Sequence, residues 1–430
     1  MFAKETADAW YARPESELLP NGFVCPKCNS SDFRKETDIL DVWFDSGSSC
    51  VAVLETRGDT LRFPADVYFE GGDQYRGWFN SSLMCGLAAH DASPYRQIIT
   101  HGWVVDGEGK KQSKSLGNVT APQEIIDRSG AEILRLWAAA VDYTEDVRCS
   151  DEILQRVIDA YRKFRNTLRY ALGNLDGFDP KTHSVAEADL LEIDRWALAG
   201  LDEVTAKVLE GYKTYDFQAA YASLYHFCTV TLSARYFDII KDRLYIYSPT
   251  SFERRSAQTA LYKIADTLCR LLAPLLAFTA DEAWENLPGQ KLESVHLAEF
   301  PGVSVAADQK LTTNWERLFA IRDDVLKALE TARGEKVIGS SLEAKVIVSA
   351  DKETTLFLSD YFTQLRYLFI VSQVEVHEAD GFGIRIEKAD GQKCERCWNY
   401  SIRVGEFENY PTVCERCNEA LKDIEKAAVA

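Results

Sequence analysis

The sequence predicts a multidomain α/β plus α fold that ends in a small module built on four cysteines. Between positions 37 and 150, short apolar runs end at glycines, as strands do in α/β domains. From 151 to about 299, apolar residues recur at three- and four-residue steps, which indicates a helical bundle. The predicted domain boundaries are 1–36, 37–150, 151–300, 301–388 and 389–430.

Composition and charge narrow the class of protein. Hydrophobic residues make up 46% of the 430 positions, which supports well-formed cores. The most apolar run, 271–278, contains Pro274 and is far shorter than the roughly 20 residues that cross a bilayer, so we expect a soluble, cytoplasmic chain without a membrane partner. The net charge of −18 argues weakly against nucleic-acid binding, and the local basic groups at 162–169 and 241–255 are most simply solvated helix faces.

The first 36 residues are polar and interrupted by prolines, so we expect loop-like structure there. They contain one isolated Cys25-Pro-Lys-Cys28 pair. A single pair fills two of the four positions around a metal. It is therefore either a free pair in a loop or one side of a metal site whose other ligands are not in this chain.

The 37–150 segment predicts alternating strands and helices. The runs at 67–70 and 97–101 are β-prone and are each followed by glycine. A turn follows at 106–109, a helix starts near Pro122, and 133–141 has the composition of a buried helix.

Beyond Ser150, a plausible helix N-cap, the pattern is almost wholly helical. The predicted helices of the bundle begin at 151 and continue at 191–211, 216–240, 255–275 and 279–286. A further helix at 315–333 and strands at 344–349 and 373–377 predict a small α+β unit over 301–388.

The two C-terminal cysteine pairs are separated by sixteen residues and predict one structural zinc site with Cys394, Cys397, Cys414 and Cys417 as ligands. Four thiolates leave no open position for water, which argues against a catalytic zinc. With no secretory signal, a disulfide framework is disfavoured. We expect the aromatic residues of the intervening loop to cover one face of the module.

Two polar segments can carry chemistry. Lys111-Gln-Ser-Lys-Ser115 offers ammonium groups and hydroxyls to a triphosphate, although such a loop is more often merely solvated. Glu70-Gly-Gly-Asp-Gln-Tyr-Arg-Gly-Trp78 follows a strand, where open α/β sheets bind ligands. Its polar side chains could orient an amine or a ribose, or could simply cap the next helix.

Three segments together resemble the class I aminoacyl-tRNA synthetases. They are Asp41-Val-Trp-Phe-Asp-Ser-Gly-Ser-Ser49, the segment from Glu70 to Phe79, and Lys111-Gln-Ser-Lys-Ser115, which corresponds to the signature loop KMSKS. The bacterial isoleucine branch is favoured over the valine and leucine branches by Asp41 to Ser49, Lys336-Val-Ile-Gly-Ser-Ser-Leu-Glu-Ala344 and Cys394-Glu-Arg-Cys-Trp398. Asp194-Arg-Trp196 and Tyr215-Asp-Phe217 are similar to the helical anticodon-binding domain. The resemblance extends over essentially the whole chain.

The resemblance implies the site residues and ligands. Lys114, helped by Lys111 and Ser113, would contact the phosphates of ATP, which brings Mg²⁺. The remaining implied residues bind the aminoacyl adenylate or its adenine: Glu70, Gly71, Asp73, Gln74, His101 and Gly102. The implied substrates are isoleucine, ATP and the isoleucine tRNA.

Departures from the family bound these expectations. Gln112 stands where Met is usual and Tyr75 where His is common, and neither removes a required charge.

The signature HIGH is absent, so the chain resembles a C-terminal portion: a partial Rossmann-like catalytic half, the anticodon-binding bundle, the α+β unit and the zinc module, with 1–36 as a remnant of a connecting insertion. We expect no activity alone and activity with an N-terminal half of the same enzyme; the alternative is a non-catalytic tRNA anticodon-binding module. A His-x-Gly-His segment encoded in frame upstream would mark the shortening as an artefact.

Overall fold

The computed structural model describes residues 1–113, 115, 117–303 and 308–429, in two compact units, Met1–Gly102 and Trp103–Ala430. The helices of the first unit are α1 Phe2–Glu5, α2 Ala9–Ala12, α3 Glu15–Leu18, α4 Val42–Gly47 and α5 Trp78–His90, and its strands are β1 Ala65–Gly71 and β2 Tyr95–His101. A π-helical turn spans Cys50–Glu55 and a 3-10 turn spans Gly72–Arg76.

A parallel βαβ crossover forms the core of the first unit. β1 pairs in parallel with β2, and α5 connects them, so the predicted runs at 67–70 and 97–101 are confirmed as strands. The buried Tyr68 ring of β1 stacks on Trp78 at 4.0 Å, and its hydroxyl is hydrogen-bonded to Ser82 at 2.9 Å. Trp78 Nε1 donates to the Ser46 carbonyl at 3.0 Å, which fixes α4 against α5.

The first 36 residues, for which the sequence predicts loop-like structure, contain three short helices, α1, α2 and α3. Side chains support the three short helices there, because Arg13 pairs with Glu5 at 2.6 Å and with Glu17 at 2.8 Å. Lys35 Nζ donates to the Trp10 and Arg13 carbonyls at 3.0 and 2.8 Å. The two Lys35 bonds span 25 and 22 residues of sequence, which is why local patterns did not indicate them.

The second unit contains the remaining elements. Its helices are α6 Pro122–Ser129, α7 Ala131–Ala140, α8 Asp151–Gly173, α9 Glu192–Thr214, α10 Phe217–His226, α11 Phe237–Ile246, α12 Phe252–Leu272, α13 Ala277–Glu285, α14 Gln309–Gly334, α15 Lys352–Asp360, α16 Phe362–Phe369 and α17 Glu415–Val429. Its strands are β3 Val104–Val105, β4 Val147–Arg148, β5 Ala344–Ala350, β6 Gln373–Glu378, β7 Gly383–Lys388, β8 Gln392–Lys393 and β9 Tyr400–Ser401.

The predicted bundle is present, and Ser150 caps α8 by accepting from the Ile153 amide. The predicted helix over 216–240 is divided, because a π-helical stretch, Phe227–Tyr236, lies between α10 and α11. One continuous apolar core joins α6 and α7 to the bundle and to β5, so packing is unbroken across position 150.

The α+β unit has β5 at its centre, with β6 parallel on one side and β7 antiparallel on the other. The sequence predicted β5 and β6 but indicated neither β7 nor α15. Among the described residues, none of the helices combines the length and apolar character that a membrane span requires.

One buried polar network holds the bundle together. Asp194 of α9 is fully buried and accepts both terminal nitrogens of Arg243, at 2.9 and 2.7 Å. Tyr236 donates to the same carboxylate at 2.7 Å and Ser256 donates at 2.6 Å, so four segments meet on one side chain. Burial and the neighbouring Asp194 raise the pKa of Tyr236 well above its ordinary value, so its hydroxyl stays a donor.

Replacing Asp194 tests this network. We expect Asp194→Ala to lower the free energy of unfolding by about 3–5 kcal/mol, because it leaves the buried Arg243 guanidinium without its counter-ion. Urea unfolding followed by circular dichroism measures the change. Asp159→Ala, which removes an exposed partner of Arg162, is the control and should change it by less than about 1 kcal/mol; equal effects would contradict the network's role.

Candidate functional site

The carboxyl ends of β1 and β2 bring the predicted ligand residues of the first unit to one edge of the sheet. In the parallel register Glu70 lies opposite Thr100, and Gly71 lies opposite His101. Glu70 is exposed, Gly71 is buried and His101 is half-buried. Parallel α/β sheets bind ligands at this edge, so the register supports the sequence prediction without testing any contact to a ligand.

The polar side chains at this edge have different surroundings. Gln74 Oε1 accepts from the Trp78 amide at 2.9 Å, so it caps α5, as the simpler interpretation of this segment predicted. Gln74 Nε2 donates to Asp73 at 3.3 Å. His101 Nδ1 lies 2.8 Å from the Gly102 carbonyl oxygen. Since a carbonyl oxygen can only accept, Nδ1 carries a hydrogen and donates it.

Two glycines are required by close packing beneath this edge. A Cβ on Gly77 would lie 2.6 Å from Gln74 Oε1 and 2.9 Å from the Trp43 ring. A Cβ on Gly47 would lie 2.8 Å from the Ser81 backbone. A side chain at position 77 would therefore displace Gln74 or the Trp43 ring. A side chain at position 47 would push α4 away from α5.

The predicted phosphate loop lies in the second unit and is anchored at its base by Asp106. The Asp106 carboxylate accepts from the Glu108 amide at 3.0 Å, the Lys110 amide at 2.9 Å and Asn118 Nδ2 at 2.9 Å. The Asn118 hydrogen bond is the leading cause that lowers the pKa of Asp106 below its ordinary value. A lowered folded-state pKa stabilises the turn above the unfolded pKa, and that contribution is lost as acidification protonates the carboxyl.

Asn118 continues the anchor into the loop itself. Its Oδ1 accepts from the Ser113 amide at 3.0 Å, and its Nδ2 donates to the Lys111 carbonyl at 3.3 Å. The Lys111 ammonium lies 5.6 Å from the Trp103 ring centroid, and the Ser113 hydroxyl is 3.2 Å from that of Ser115. Lys114 lies outside the described residues, so its predicted role stays a prediction.

Sequence patterns did not indicate the residues that attach α7, the second helix after the phosphate loop, to the bundle. Glu132 of α7 is buried and accepts from the Phe278 and Thr279 amides at 2.9 and 3.0 Å, so it caps α13. Arg135, one turn later, donates to the Leu275 and Pro274 carbonyls. The signal available in the sequence was the presence of two charged residues, Glu132 and Arg135, in an otherwise apolar helix.

The predicted metal ligands come together as one cluster. The sulfur atoms of Cys394, Cys397, Cys414 and Cys417 all lie within 4.8 Å of one another, and all four residues are buried. Tetrahedral zinc with Zn–S bonds of about 2.3 Å requires sulfurs ~3.8 Å apart, and the Cys397–Cys414 distance of 3.6 Å agrees. The four residues form a closed structural zinc site.

Two buried cysteines of the bundle, Cys228 and Cys269, do not resemble metal ligands. Burial raises the pKa of Cys228 and of Cys269 to about 12, so both thiols stay protonated. Within the described ranges, no third ligand accompanies Cys25 and Cys28. The expectation that loop aromatics cover the zinc module is correct in part, because Tyr410 packs on the cluster whereas Trp398 is 61% exposed.

Arg416, between the last two ligands, docks the zinc module on the bundle. Its guanidinium pairs with Asp242 of α11 and lies 5.4 Å from the Tyr367 ring centroid of α16. Ser372 adds a second link by accepting from the Tyr400 amide at 2.7 Å.

Four of the eight cations in the two basic groups pair with acidic side chains. Arg162 pairs with Asp159 at 3.1 Å and Arg165 pairs with Glu282 at 2.6 Å. Lys241 pairs with Asp238 at 2.8 Å, and Arg243 belongs to the Asp194 network. The charges of these four side chains are therefore offset by nearby acids and give no argument for a nucleic-acid surface.

Family models match three consecutive parts of the chain. Residues 1–150 match tRNA synthetases class I (I, L, M and V), 194–348 match the anticodon-binding domain of tRNA ligase, and 391–419 match the zinc finger found in FPG and IleRS. The chain is also 52% identical, over 435 residues and 98% of its length, to the isoleucine–tRNA ligase of Syntrophotalea carbinolica. The chain belongs to the class I tRNA synthetases.

Further relatives of this class I synthetase chain agree. It is 48% identical over 434 residues to the isoleucine–tRNA ligase of Geobacter sulfurreducens, covering 98% of the chain. It spans 47% of each of these two relatives and corresponds to a C-terminal portion of them. The solved ternary complex of Agrobacterium radiobacter K84 agnB2 LeuRS-tRNA-LeuAMS is similar in fold, with a TM-score of 0.52 at 18% identity, over 80% of this chain and 41% of that one.

The tight packing of Gly77 generates a prediction. We expect Gly77→Ala to destabilise the first unit by about 1–3 kcal/mol, because the added methyl group displaces Gln74 or Trp43. Thermal unfolding followed by near-ultraviolet circular dichroism measures the change, since the signal includes Trp43 and Trp78 among the nine tryptophans of the chain. Gly72→Ala is the matched control, since its Cβ would have nothing within 4 Å; an equal loss in both variants would contradict this account.

The zinc site generates a second prediction. We expect about one zinc per chain by metal analysis, and Cys397→Ser should bind much less, because three thiolates no longer close the tetrahedron. Zinc should be released as the pH falls, since protons compete for the thiolates. Cys28→Ser is the control and should keep its zinc; loss of metal in this variant instead would place the site at the wrong cysteines.

Proposed function

We propose that this chain is the C-terminal portion of an isoleucine–tRNA ligase that activates isoleucine with ATP and transfers it to its tRNA. The observation that carries the proposal is the parallel register of β1 and β2, which aligns Glu70–Gly71 with Thr100–His101 at the ligand-binding edge. The family match over 1–150 and the relatives at about half identity support the same reaction.

The proposed reaction has two balanced steps. A carboxylate oxygen of isoleucine attacks the α-phosphorus of ATP, and the bond to the β-phosphate breaks to release pyrophosphate. A hydroxyl of the terminal tRNA ribose then attacks the acyl carbon, and AMP leaves. Neither step needs a protein nucleophile, so the protein contributes positioning and charge stabilisation.

We assign adenylate binding to residues of the first unit. The exposed Glu70 carboxylate suits the ammonium group of the aminoacyl moiety, and the buried Gly71 lets a ligand approach the backbone. Asp73 and Gln74 flank them, although Gln74 also caps α5. His101 and Gly102 are assigned to the adenine, because their strand ends in register with Gly71.

We assign the phosphates to the loop of the second unit. Lys111 is exposed and Ser113 is half-buried, so an ammonium and a hydroxyl are available to phosphate oxygens. Lys114 completes this set by its position in the signature. Mg²⁺ would arrive with ATP and neutralise charge on the departing pyrophosphate.

The bundle and the zinc module are assigned to the isoleucine tRNA. The match of 194–348 to an anticodon-binding domain supports this, as does the zinc module that Arg416 fixes to α11. Zinc has a structural role there, since its four thiolates leave no open position.

We also propose an N-terminal half of the same enzyme as a partner. The sheet of the first unit consists of two parallel strands, whereas such sheets are usually covered on both faces. Ile39, Leu40 and Val42 are 80%, 66% and 70% exposed, and the adjacent Trp43 and Phe44 are about half exposed. An apolar stripe of this length indicates a surface that another protein segment covers.

The loop assignment is tested by isoleucine-dependent pyrophosphate exchange, with the 430-residue chain mixed with the N-terminal half of a related isoleucine–tRNA ligase. We expect exchange by the mixture and none by the chain alone. Lys111→Ala should lower the rate roughly 100-fold, because it removes a charge that stabilises the transition state.

Lys110→Ala is the matched control, since the Lys110 ammonium pairs with Glu108 at 2.7 Å and has no assigned ligand. Its rate should stay within about twofold of the parent. A mixture that binds isoleucine tRNA with steep salt dependence but gives no exchange would instead favour the non-catalytic anticodon-binding module.

A further inference from the structure

We propose that Asp106 and Asn118 act as a latch that holds the phosphate loop in its ligand-binding shape, so that both are positioning residues for ATP. This deepens the proposed function and rests on it, because it assumes that Lys111 and Ser113 contact the phosphates. Neither latch residue needs to touch the substrate itself.

The first half of the latch is the turn that precedes the loop. The Asp106 carboxylate accepts two backbone amides, Glu108 and Lys110, and the Asp106 amide donates back to the Lys110 carbonyl at 2.9 Å. Val105 and Lys111 then form an antiparallel bridge. The backbone leading to Lys111 is therefore fixed by hydrogen bonds on both sides of the turn.

The second half is the side-chain bond between Asp106 and Asn118, 2.9 Å long. Asn118 passes the constraint on, because its Oδ1 accepts from the Ser113 amide and its Nδ2 donates to the Lys111 carbonyl. The two ends of the loop, twelve residues apart, are thereby joined, and the backbone of both phosphate-contacting positions is anchored to the joint.

Each hydrogen bond between the latch side chains and their partners has one donor and one acceptor that cannot be exchanged. Asp106 can only accept, so Asn118 must present its amino group to Asp106, and its carbonyl oxygen is then turned to the Ser113 amide. An amide at position 106 would set two amino groups against each other. A carboxylate at 118 would set two negative oxygens against each other.

Electrostatics alone gives the opposite expectation for one variant. Asp106→Asn removes a negative charge close to a polyphosphate site, and charge alone predicts tighter ATP binding. The latch predicts weaker binding, because an unlatched loop has to be ordered when ATP binds. The sign of this change distinguishes the two accounts.

The test is titration with Mg·ATP, at low ionic strength, of the 430-residue chain mixed with the N-terminal half of a related isoleucine–tRNA ligase, combined with hydrogen exchange of the peptide that contains 106–113. We expect Asp106→Asn and Asn118→Asp each to weaken ATP binding roughly five- to tenfold, as expected for one lost hydrogen bond, and to speed amide exchange in this peptide. The melting temperature should change little, since the half-buried latch residues lie outside the apolar core of the second unit.

The reciprocal double variant Asp106→Asn/Asn118→Asp restores the donor–acceptor pair between 106 and 118 with unchanged net charge, but not the donation to the Lys111 carbonyl, so it should bind ATP more tightly than either single variant and less tightly than the parent. Glu108→Gln removes a neighbouring charge without touching the latch and should bind ATP at least as tightly as the parent. If Asp106→Asn binds as tightly as the Glu108 variant, the latch is wrong although the proposed function survives. If the parent mixture binds no ATP, the phosphate role of the loop fails and the latch fails with it.

Discussion

The parallel pairing of β1 with β2 is the constraint on which the rest of the first unit depends. Parallel strands need a crossover, and α5 supplies it by packing Trp78 against Tyr68 and Phe79 against the same sheet. The crossover fixes the register that aligns Gly71 with His101. A slip by one residue would turn Tyr68 to the solvent and reverse the orientation of Glu70. The chemistry proposed for this edge is thus a consequence of how one aromatic pair packs.

The second unit solves a different problem, which is to fix a polar loop and a metal module to a helical bundle. Each attachment uses a charged side chain that satisfies backbone groups at a helix end or pairs across elements. Glu132 caps α13 from α7, and Arg416 joins the zinc module to Asp242. Such bonds are directional, so they define orientation more sharply than apolar contact does.

Much of this architecture follows from local sequence. Periodicity predicts α8, α9 and α12 because their buried faces repeat every three or four residues, and the cysteine spacing predicts the zinc site because four thiolates have one favourable geometry. The sequence did not indicate α15 or β7, since short elements are defined by partners distant in the chain. It also did not indicate the π-helical stretch at Phe227–Tyr236, since nothing in its composition distinguishes it from an ordinary helix.

The residues of the candidate site also form two groups, those that the sequence indicates and those that only the folded structure reveals. Residue types and glycine positions indicate Glu70, Gly71, His101, Lys111 and Ser113, because ligand chemistry restricts which side chains can serve. The supporting residues Asp106, Asn118 and Glu132 escape such reasoning, because an Asp or an Asn is common in turns and only the folded backbone shows which amides it binds. Gln74 illustrates the reverse case, since a residue chosen for ligand binding also caps a helix.

The most direct test of the account measures hydrogen exchange in the 430-residue chain mixed with the N-terminal half of a related isoleucine–tRNA ligase. Exchange is compared with and without a non-hydrolysable isoleucyl-adenylate analogue. The account assigns residues 70–74 and 101–102 to the adenylate and the loop around 111–113 to the phosphates of the same reaction. It predicts that the analogue slows exchange in the first two segments and that Mg·ATP slows it in the loop. Exchange that stays unchanged in all three segments, with the ligands demonstrably bound elsewhere, would contradict the assignment.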